Sequence, residues 1–151
     1  MILLTGIDGD TLLLTIYPPR LQGMGMKGLL LFLGIEKHDD IESAKHLCQR
    51  VTRFRLFPDD SGRMNLSVCD IEGSLLIVPQ FTLAANTTSG NRPGFSGAAA
   101  PDKARSLCQA FTENAKATLG AERVETGQFG ADMKVSLTND GPVTFLLETP
   151  D

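Results

Sequence analysis

Runs of apolar residues, continuous or alternating, mark "ILLTGI" (2–7), "TLLLTIY" (11–17) and "LLLFLGI" (29–35) as strands. The first two flank "DGD" (8–10), a hairpin candidate. "YPPRLQGMGMKG" (17–28) reads as a loop. From Asp39 to Arg53 the period turns helical. Ile41, Ala44, Leu47, Cys48 and Val51 share one face behind an Asp N-cap candidate. "FRLF", "MNLSVCD" and "SLLIVPQFTL" predict further strands, separated by the turns "PDDSG" and "DIEG". "AANTTSGNRPGFSGAA" (84–99) has no apolar period, and a loop that long in a compact domain is functional or disordered. Pro101 then opens a second helix, with Ala104, Leu107, Cys108, Phe111 and Ala115 as its buried stripe and Gly120 as its stop. "RVETGQF", "MKVSL" and "VTFLLE" close the chain as strands.

This order predicts one α+β domain over residues 1–151, with two helices packed on a mostly antiparallel, barrel-like sheet core. The 151 residues suffice for a single core. No apolar run reaches the ~20 residues of a membrane span. The first residues lack a basic region and a cleavage site, so they are expected to form a strand rather than a signal peptide. Three widely spaced cysteines, Cys48, Cys69 and Cys108, suit a reducing cytoplasm better than a disulfide framework. The net charge of −4 argues against wrapping a long nucleic acid, but leaves room for a local basic patch that recognises a nucleic-acid end.

Several stretches invite a chemical reading. "GMGMKG" (23–28) matches the letters of a dinucleotide motif, yet a strand follows it rather than a helix, so a turn is expected. His38 and His46 lack partners at metal-ligand spacing, and no metal or cofactor is predicted. No serine-hydrolase signature is present. In "VPQFTLAA", Pro79 interrupts a good strand and implies an edge, a bulge or a strand end. Past it, Gln80 and Thr82 alternate with Phe81 and Leu83 and are expected to share one face; backbone N–H groups freed there can point at a ligand oxygen, or the place is a plain strand edge with two polar surface residues. "NRPGF" offers Arg92 and Phe95, a cation and an aromatic that suit a phosphate and a base, or equally an ordinary loop anchored by a Phe. Arg50, Arg53 and Arg55 are expected to satisfy carbonyls at the end of the first helix. In "TNDGPVT" (138–144) a hairpin turn accounts for Asn139, Asp140 and Gly141. It does not account for Pro142, which has no N–H for a ladder.

"PQFTL", "NRPGFSGAA" and "FGADMKVSLTNDGPVTFLLET" together resemble the D-aminoacyl-tRNA deacylases, and the resemblance runs from about Gly28 to Thr149. It implies a cytoplasmic homodimer that hydrolyses the ester between a D-amino acid, or glycine, and the 3′ end of tRNA, without membrane or DNA partners. It implies that Gly141 and Pro142 of one subunit enter the other's active site, where their carbonyls receive the substrate amino group and exclude the L-enantiomer. Gln80, Phe81 and Thr82 match the family's catalytic motif, whose backbone N–H groups near Gln80 and Phe81 would form an oxyanion hole. The terminal ribose 2′-OH would assist, with Arg92 and Phe95 near the terminal nucleotide. Thr82 has the only hydroxyl in "PQFTL", but no base is evident to activate it as a nucleophile. Two departures stand out. Pro79, beside the substrate, replaces the family's Ser, and "TGI" with Gly6 and Ile7 replaces a first-strand Arg. Both match a related branch that also accepts L-alanine mischarged on tRNA. A silent module that binds an RNA end or an amino acid is a further alternative.

Overall fold

The computed structural model describes residues 2–7, 11–16, 20–24, 27–137 and 139–149. Ten strands and two long helices follow in the order β1 (Ile2–Ile7), β2 (Thr11–Ile16), β3 (Arg20–Met24), β4 (Gly28–Leu33), α1 (Ile41–Arg53), β5 (Phe57–Pro58), β6 (Met64–Leu66), β7 (Ser74–Pro79), α2 (Pro101–Leu119), β8 (Val124–Thr126), β9 (Met133–Ser136) and β10 (Asn139–Leu147). The main sheet runs β10-β1-β4-β7-β8, and a second sheet runs β3-β2-β9. The class is α+β, as expected.

The two middle strands are buried on both faces, which explains their unbroken apolar runs. Leu29, Leu31 and Leu33 of β4 and Leu75 and Ile77 of β7 point to the helices. There they meet Ala44, Leu47, Cys48 and Val51 of α1, and Leu107, Phe111 and Ala115 of α2. The alternate residues Leu30, Leu76 and Val78 form a second core with Met133 and Val135 of β9. The molecule is therefore layered: helices, main sheet, second sheet. Gly28 opens β4 where a Cβ would collide with the Ser74 carbonyl, so the close approach of β4 to β7 requires glycine there.

Helix boundaries follow local chemistry. Asp40 caps α1, its carboxylate accepting from the Ser43 N–H at 2.8 Å while Ser43 reaches back to the Asp40 N–H. Pro101 sits in the first turn of α2, and Gly120 ends it at φ +101°. Ile41 departs from the expected buried face. It lies in the first turn and is 47% exposed, beyond the reach of the sheet.

Strand pairing differs from the sequence expectation in four places. β4 pairs with β7, and β7 with β8, in parallel, so the centre of the sheet is not antiparallel although the other pairings are. β1 and β2 do not form a hairpin: β4 and β10 take both edges of β1, and β3 and β9 those of β2. The "DGD" turn at 8–10 lies outside the described residues. The stretch 17–28 holds a strand, β3; Gly23 and Met24 end it, Gly28 begins β4, and residues 25–26 lie outside the description. Finally, "TNDGPVT" is no hairpin turn, because Asn139, Asp140, Gly141 and Pro142 all belong to β10. "FRLF" yields only the short β5, whose partner is β6.

β1–β2 and β9–β10 behave as one long ribbon bent from the main sheet into the second. The partners Leu4 and Phe145 sum to 149 in residue number, as do Leu14 and Val135 on the other side of the bend. The register breaks between Thr5 and Ile7, which pair with Thr144 and Asn139, and shifts back before Leu13, which pairs with Ser136. Residues 140–143 therefore face the single Gly6, and Pro142 lies in this bulge, exposed. A residue without an N–H fits where the ladder is already interrupted. The barrel-like core is thus two facing open sheets joined by a bent ribbon.

Phe111 is fully buried between helices and sheet. Phe111→Ala should cost about 3–5 kcal/mol in urea unfolding, against less than about 1 kcal/mol for the half-exposed Ile41→Ala.

Candidate active site

β7 ends at Pro79, level with Leu33 of β4. The Gln80 N–H continues the ladder by donating to the Leu33 carbonyl at 2.8 Å. The chain then leaves extended geometry and turns into a 3-10 helix, Phe81–Ala84. Pro79 accordingly marks a strand end, one of the three alternatives it allowed. The expected alternation of Gln80 and Thr82 on one strand face does not occur, because the strand has stopped. A different contact joins them: the Gln80 side-chain amide donates to the Thr82 hydroxyl.

The first N–H groups of a helix have no partner within it. Among the described residues, no carbonyl accepts from Phe81 or Thr82. Of the motif's amides, the one at Gln80 is occupied, and those at Phe81 and Thr82 have no acceptor among the described residues. The Thr82 hydroxyl touches a neutral amide donor, which cannot take its proton. Both histidines are exposed, and no group of three His, Cys, Asp or Glu among the described residues could hold a metal.

The long loop supplies the neighbouring wall. Asn86 and Gly94 exchange backbone hydrogen bonds at 2.7 and 2.9 Å, closing residues 86–94 into a loop that carries Arg92, exposed, at its far side. The Asn86 side chain also accepts from the Thr88 N–H and hydroxyl. Further on, the Lys37 N–H donates to Gly97 and the Ala99 N–H to Ile35, strapping the loop to the segment after β4. This fastening brings Phe95 against Phe81, with ring centroids 5.2 Å apart and planes tilted by 55°. The rings remain 60% (Phe81) and 42% (Phe95) exposed. Two large exposed aromatics in contact form an apolar platform beside the open amides. Sequence spacing gave no sign of this pairing, because the two residues meet only through the loop's backbone bridges.

Gly141 and Pro142 are not part of this cluster within one chain. Pro79, Leu33, Ile2 and Leu147 lie on one row across the sheet. The bulge lies three strands over and three to five residues further along, on the order of 20 Å away at ~3.3 Å per residue and ~4.8 Å per strand. Arg50, Arg53 and Arg55 also depart from expectation. Arg50 donates to the Glu148 carbonyl at 2.8 Å and Arg55 to the Asn65 side chain at 3.3 Å, rather than to carbonyls of α1.

The fold and the turn define a class: an α+β protein with a backbone-lined constellation at the end of a parallel strand pair. The sequence matches the D-Tyr-tRNA(Tyr) deacylase family over residues 20–148, and the chain belongs to that family. It is 61% identical over 122 residues to a D-aminoacyl-tRNA deacylase of Marinobacter nauticus, covering 81% of this chain and 78% of that one. It is 56% identical over 121 residues to the enzyme of that name from Photorhabdus laumondii, covering 80% and 82%. Among solved structures it superposes on a c-Myc DNA unwinding element binding protein with a TM-score of 0.90 and 32% identity over 100% of both chains. A probable eukaryotic D-amino acid tRNA deacylase gives 0.83 at 16% identity over 97% of each chain, a likeness of fold.

The three cysteines are free thiols, Cys48 and Cys108 buried and Cys69 half-buried. Burial pushes the Cys48 thiol up to about 12 and Cys108 to about 11, and also raises Cys69. At pH 8, alkylation of Cys48 and Cys108 should be negligible in the native protein and rapid after denaturation. The folded thiols hold their protons more tightly than unfolded ones. Their contribution to stability is therefore complete below pH 9.0 and is lost as pH rises toward 11–12, which a pH series of urea midpoints would show.

Proposed function

We propose that the chain, acting as one domain, hydrolyses the ester that joins a D-amino acid, or glycine, to the 3′-terminal ribose of tRNA. The observation that carries this reading is the turn after β7, with the Phe81 and Thr82 N–H groups unpartnered beside an exposed aromatic pair and the Thr82 hydroxyl in contact with a neutral amide. The 61% identity to a protein named for this activity supports it.

In this mechanism the terminal base lies on the Phe81–Phe95 platform, and Arg92 meets the adjoining phosphate. The ester carbonyl faces the Phe81 and Thr82 N–H groups, which stabilise the oxyanion of the tetrahedral intermediate. The substrate's own 2′-OH assists the attack of water, since the chain offers no side-chain base there. Collapse expels the ribose 3′-oxygen and frees the amino acid. Gly141 and Pro142 supply chiral selection from a second copy: two carbonyls on a stiff dipeptide receive the ammonium group and leave no room for an L side chain. The ~20 Å between bulge and turn supports action across a homodimer, because the bulge does not reach its own chain's turn. Participation in translation implies the cytoplasm; among the described residues no helix is long and apolar enough to cross a membrane.

A second reading keeps the chemistry and relaxes the chirality. It rests on Pro79, which stands at the mouth of the turn and can donate no hydrogen bond to brace a pocket. Parallel assays of D-Tyr-tRNA, Gly-tRNA and L-Ala-tRNA decide between the two. The first reading expects L-Ala-tRNA to survive enzyme levels that clear the others; the second expects it to be cleared too. A substrate ending in 2′-deoxyadenosine should bind yet turn over poorly, and normal turnover would transfer the chemistry to a protein side chain.

Backbone catalysis also makes a mutational contrast. Thr82→Ala and Phe81→Ala keep the N–H groups and should keep most of kcat, whereas Phe81→Pro removes a donor and should lose ~10²–10³-fold. Gly141→Phe should be inactive alone. Unfolding and refolding it together with Phe81→Pro should restore about a quarter of wild-type activity, because half the dimers then contain one intact site of two. No recovery on mixing would refute the cross-subunit arrangement.

A further inference from the structure

The chain carries a net charge of −4, yet one face concentrates cations. His46, Gln49, Arg50, Arg53, Phe54 and Arg55 line a single open groove along the end of α1. Arg50, Arg53 and Arg55 are all exposed, and among the described residues none has a carboxylate within ion-pair distance. The nearby acids are committed elsewhere. Asp70 accepts from the Ser67 hydroxyl and N–H at 2.6 and 2.8 Å. Asp59 accepts from the Ser61 hydroxyl and N–H and from the Arg63 N–H at 2.6–3.1 Å. These bonds hold both carboxyls below their usual range, Asp70 chiefly through the Ser67 hydroxyl and Asp59 chiefly through that of Ser61. Arg50 and Arg55 each keep only a neutral partner, the Glu148 carbonyl and the Asn65 side chain, so all three guanidinium groups retain exposed positive charge.

Their place in the fold is as informative as their charge. Arg50 is pinned to the Glu148 carbonyl just beyond β10, and Phe54 packs edge-on against Phe145 at 5.4 Å. The groove therefore borders the β10 edge of the main sheet. Glu148 follows Leu147, which lies on the same row as Ile2, Leu33 and Pro79. Groove and candidate active site share one end of the sheet, three strand spacings apart, or ~15 Å.

We infer that the groove lined by Arg50, Arg53 and Arg55 docks the phosphate backbone of a paired RNA arm, the duplex from which the substrate's unpaired 3′ end extends into the active site. This rests on the proposed aminoacyl-tRNA substrate and assigns the part of it that the Phe81 turn does not hold. Guanidinium groups suit phosphate through their planar, forked donors. Paired RNA is bound mainly through backbone and shape, so a groove dominated by arginines is an appropriate partner. The separation allows a short unpaired end to bridge the two places. An acidic protein with a confined basic groove binds such an arm without wrapping nucleic acid at large.

The test is binding of uncharged tRNA by fluorescence anisotropy across a salt series, with wild type and the double variant Arg53→Gln/Arg55→Gln. Arg50 is left intact because it holds the chain after β10. The variant should bind about tenfold more weakly at low salt, and the slope of log K against log salt should shrink by about 2. A single-stranded tetranucleotide ending in CCA should bind both proteins alike, and Arg53→Lys/Arg55→Lys should restore most of the slope. An unchanged slope, or wild type that does not bind tRNA, overturns the assignment. So does an equal loss of affinity for a DNA duplex of the same length or for phosphatidylserine vesicles, which would make the groove a general polyanion site. The readout uses uncharged tRNA, so absence of D-Tyr-tRNA hydrolysis by wild type would count against the proposed activity alone.

Discussion

The parallel pairing of β4 with β7 is the constraint on which the rest of the structure depends. Both strands are covered on two faces, by α1 and α2 on one side and by β9 on the other. Their register runs unbroken from Gly28–Ser74 to Leu33–Pro79. A slip by one residue would exchange the two buried faces of β7 and unpack both cores. The last rung, from the Gln80 N–H to the Leu33 carbonyl, carries this rigidity out to the edge of the sheet. The turn that follows is therefore placed by two strands buried on both faces, although it lies at the surface. Backbone donors aimed at a reacting oxygen need this kind of support, since their worth depends on being fixed before the substrate arrives.

The bent ribbon solves a different problem. Two sheets that face each other need a connection that leaves no frayed edge between them. Here one antiparallel ribbon serves both, and its register is the same on either side of the bend. The bend itself cannot keep the ladder, and the extra residues 140–143 collect there. A Gly-Pro dipeptide is costly inside a regular strand and tolerated at such a bulge. The bulge is a place where a stiff dipeptide is tolerated, about 20 Å from the Phe81 turn of the same chain.

Charge is distributed with similar economy. The acidic total discourages indiscriminate contact with nucleic acid, while local turns hold the carboxylates of Asp59 and Asp70 in hydrogen bonds of their own. The arginines of α1 owe their exposure to the helix's amphipathic pattern: Ala44, Leu47, Cys48 and Val51 face the core, so Gln49, Arg50 and Arg53 face outward.

Local signals in the sequence determined both helices, with the Asp40 cap, the Pro101 start, the Gly120 stop and nearly all of each buried stripe. They also determined the existence of most strands and the α+β class. Those features depend on neighbours within a few residues, where capping, periodicity and the limits on φ operate. The motifs "PQFTL", "NRPGF" and "NDGPVT" were legible as family marks before any geometry was known. Only the tertiary structure decided which strands pair. An apolar run such as "LLLFLGI" is equally suited to a parallel or an antiparallel neighbour, and "DGD" favours a turn without choosing its partner strand. The same limit applies to the site. Phe81 and Phe95 are 14 positions apart and meet because Asn86 bridges Gly94. The Gln80 amide is occupied because β4 ends level with β7. Such contacts arise between segments distant in sequence, and their geometry depends on packing that no local pattern encodes.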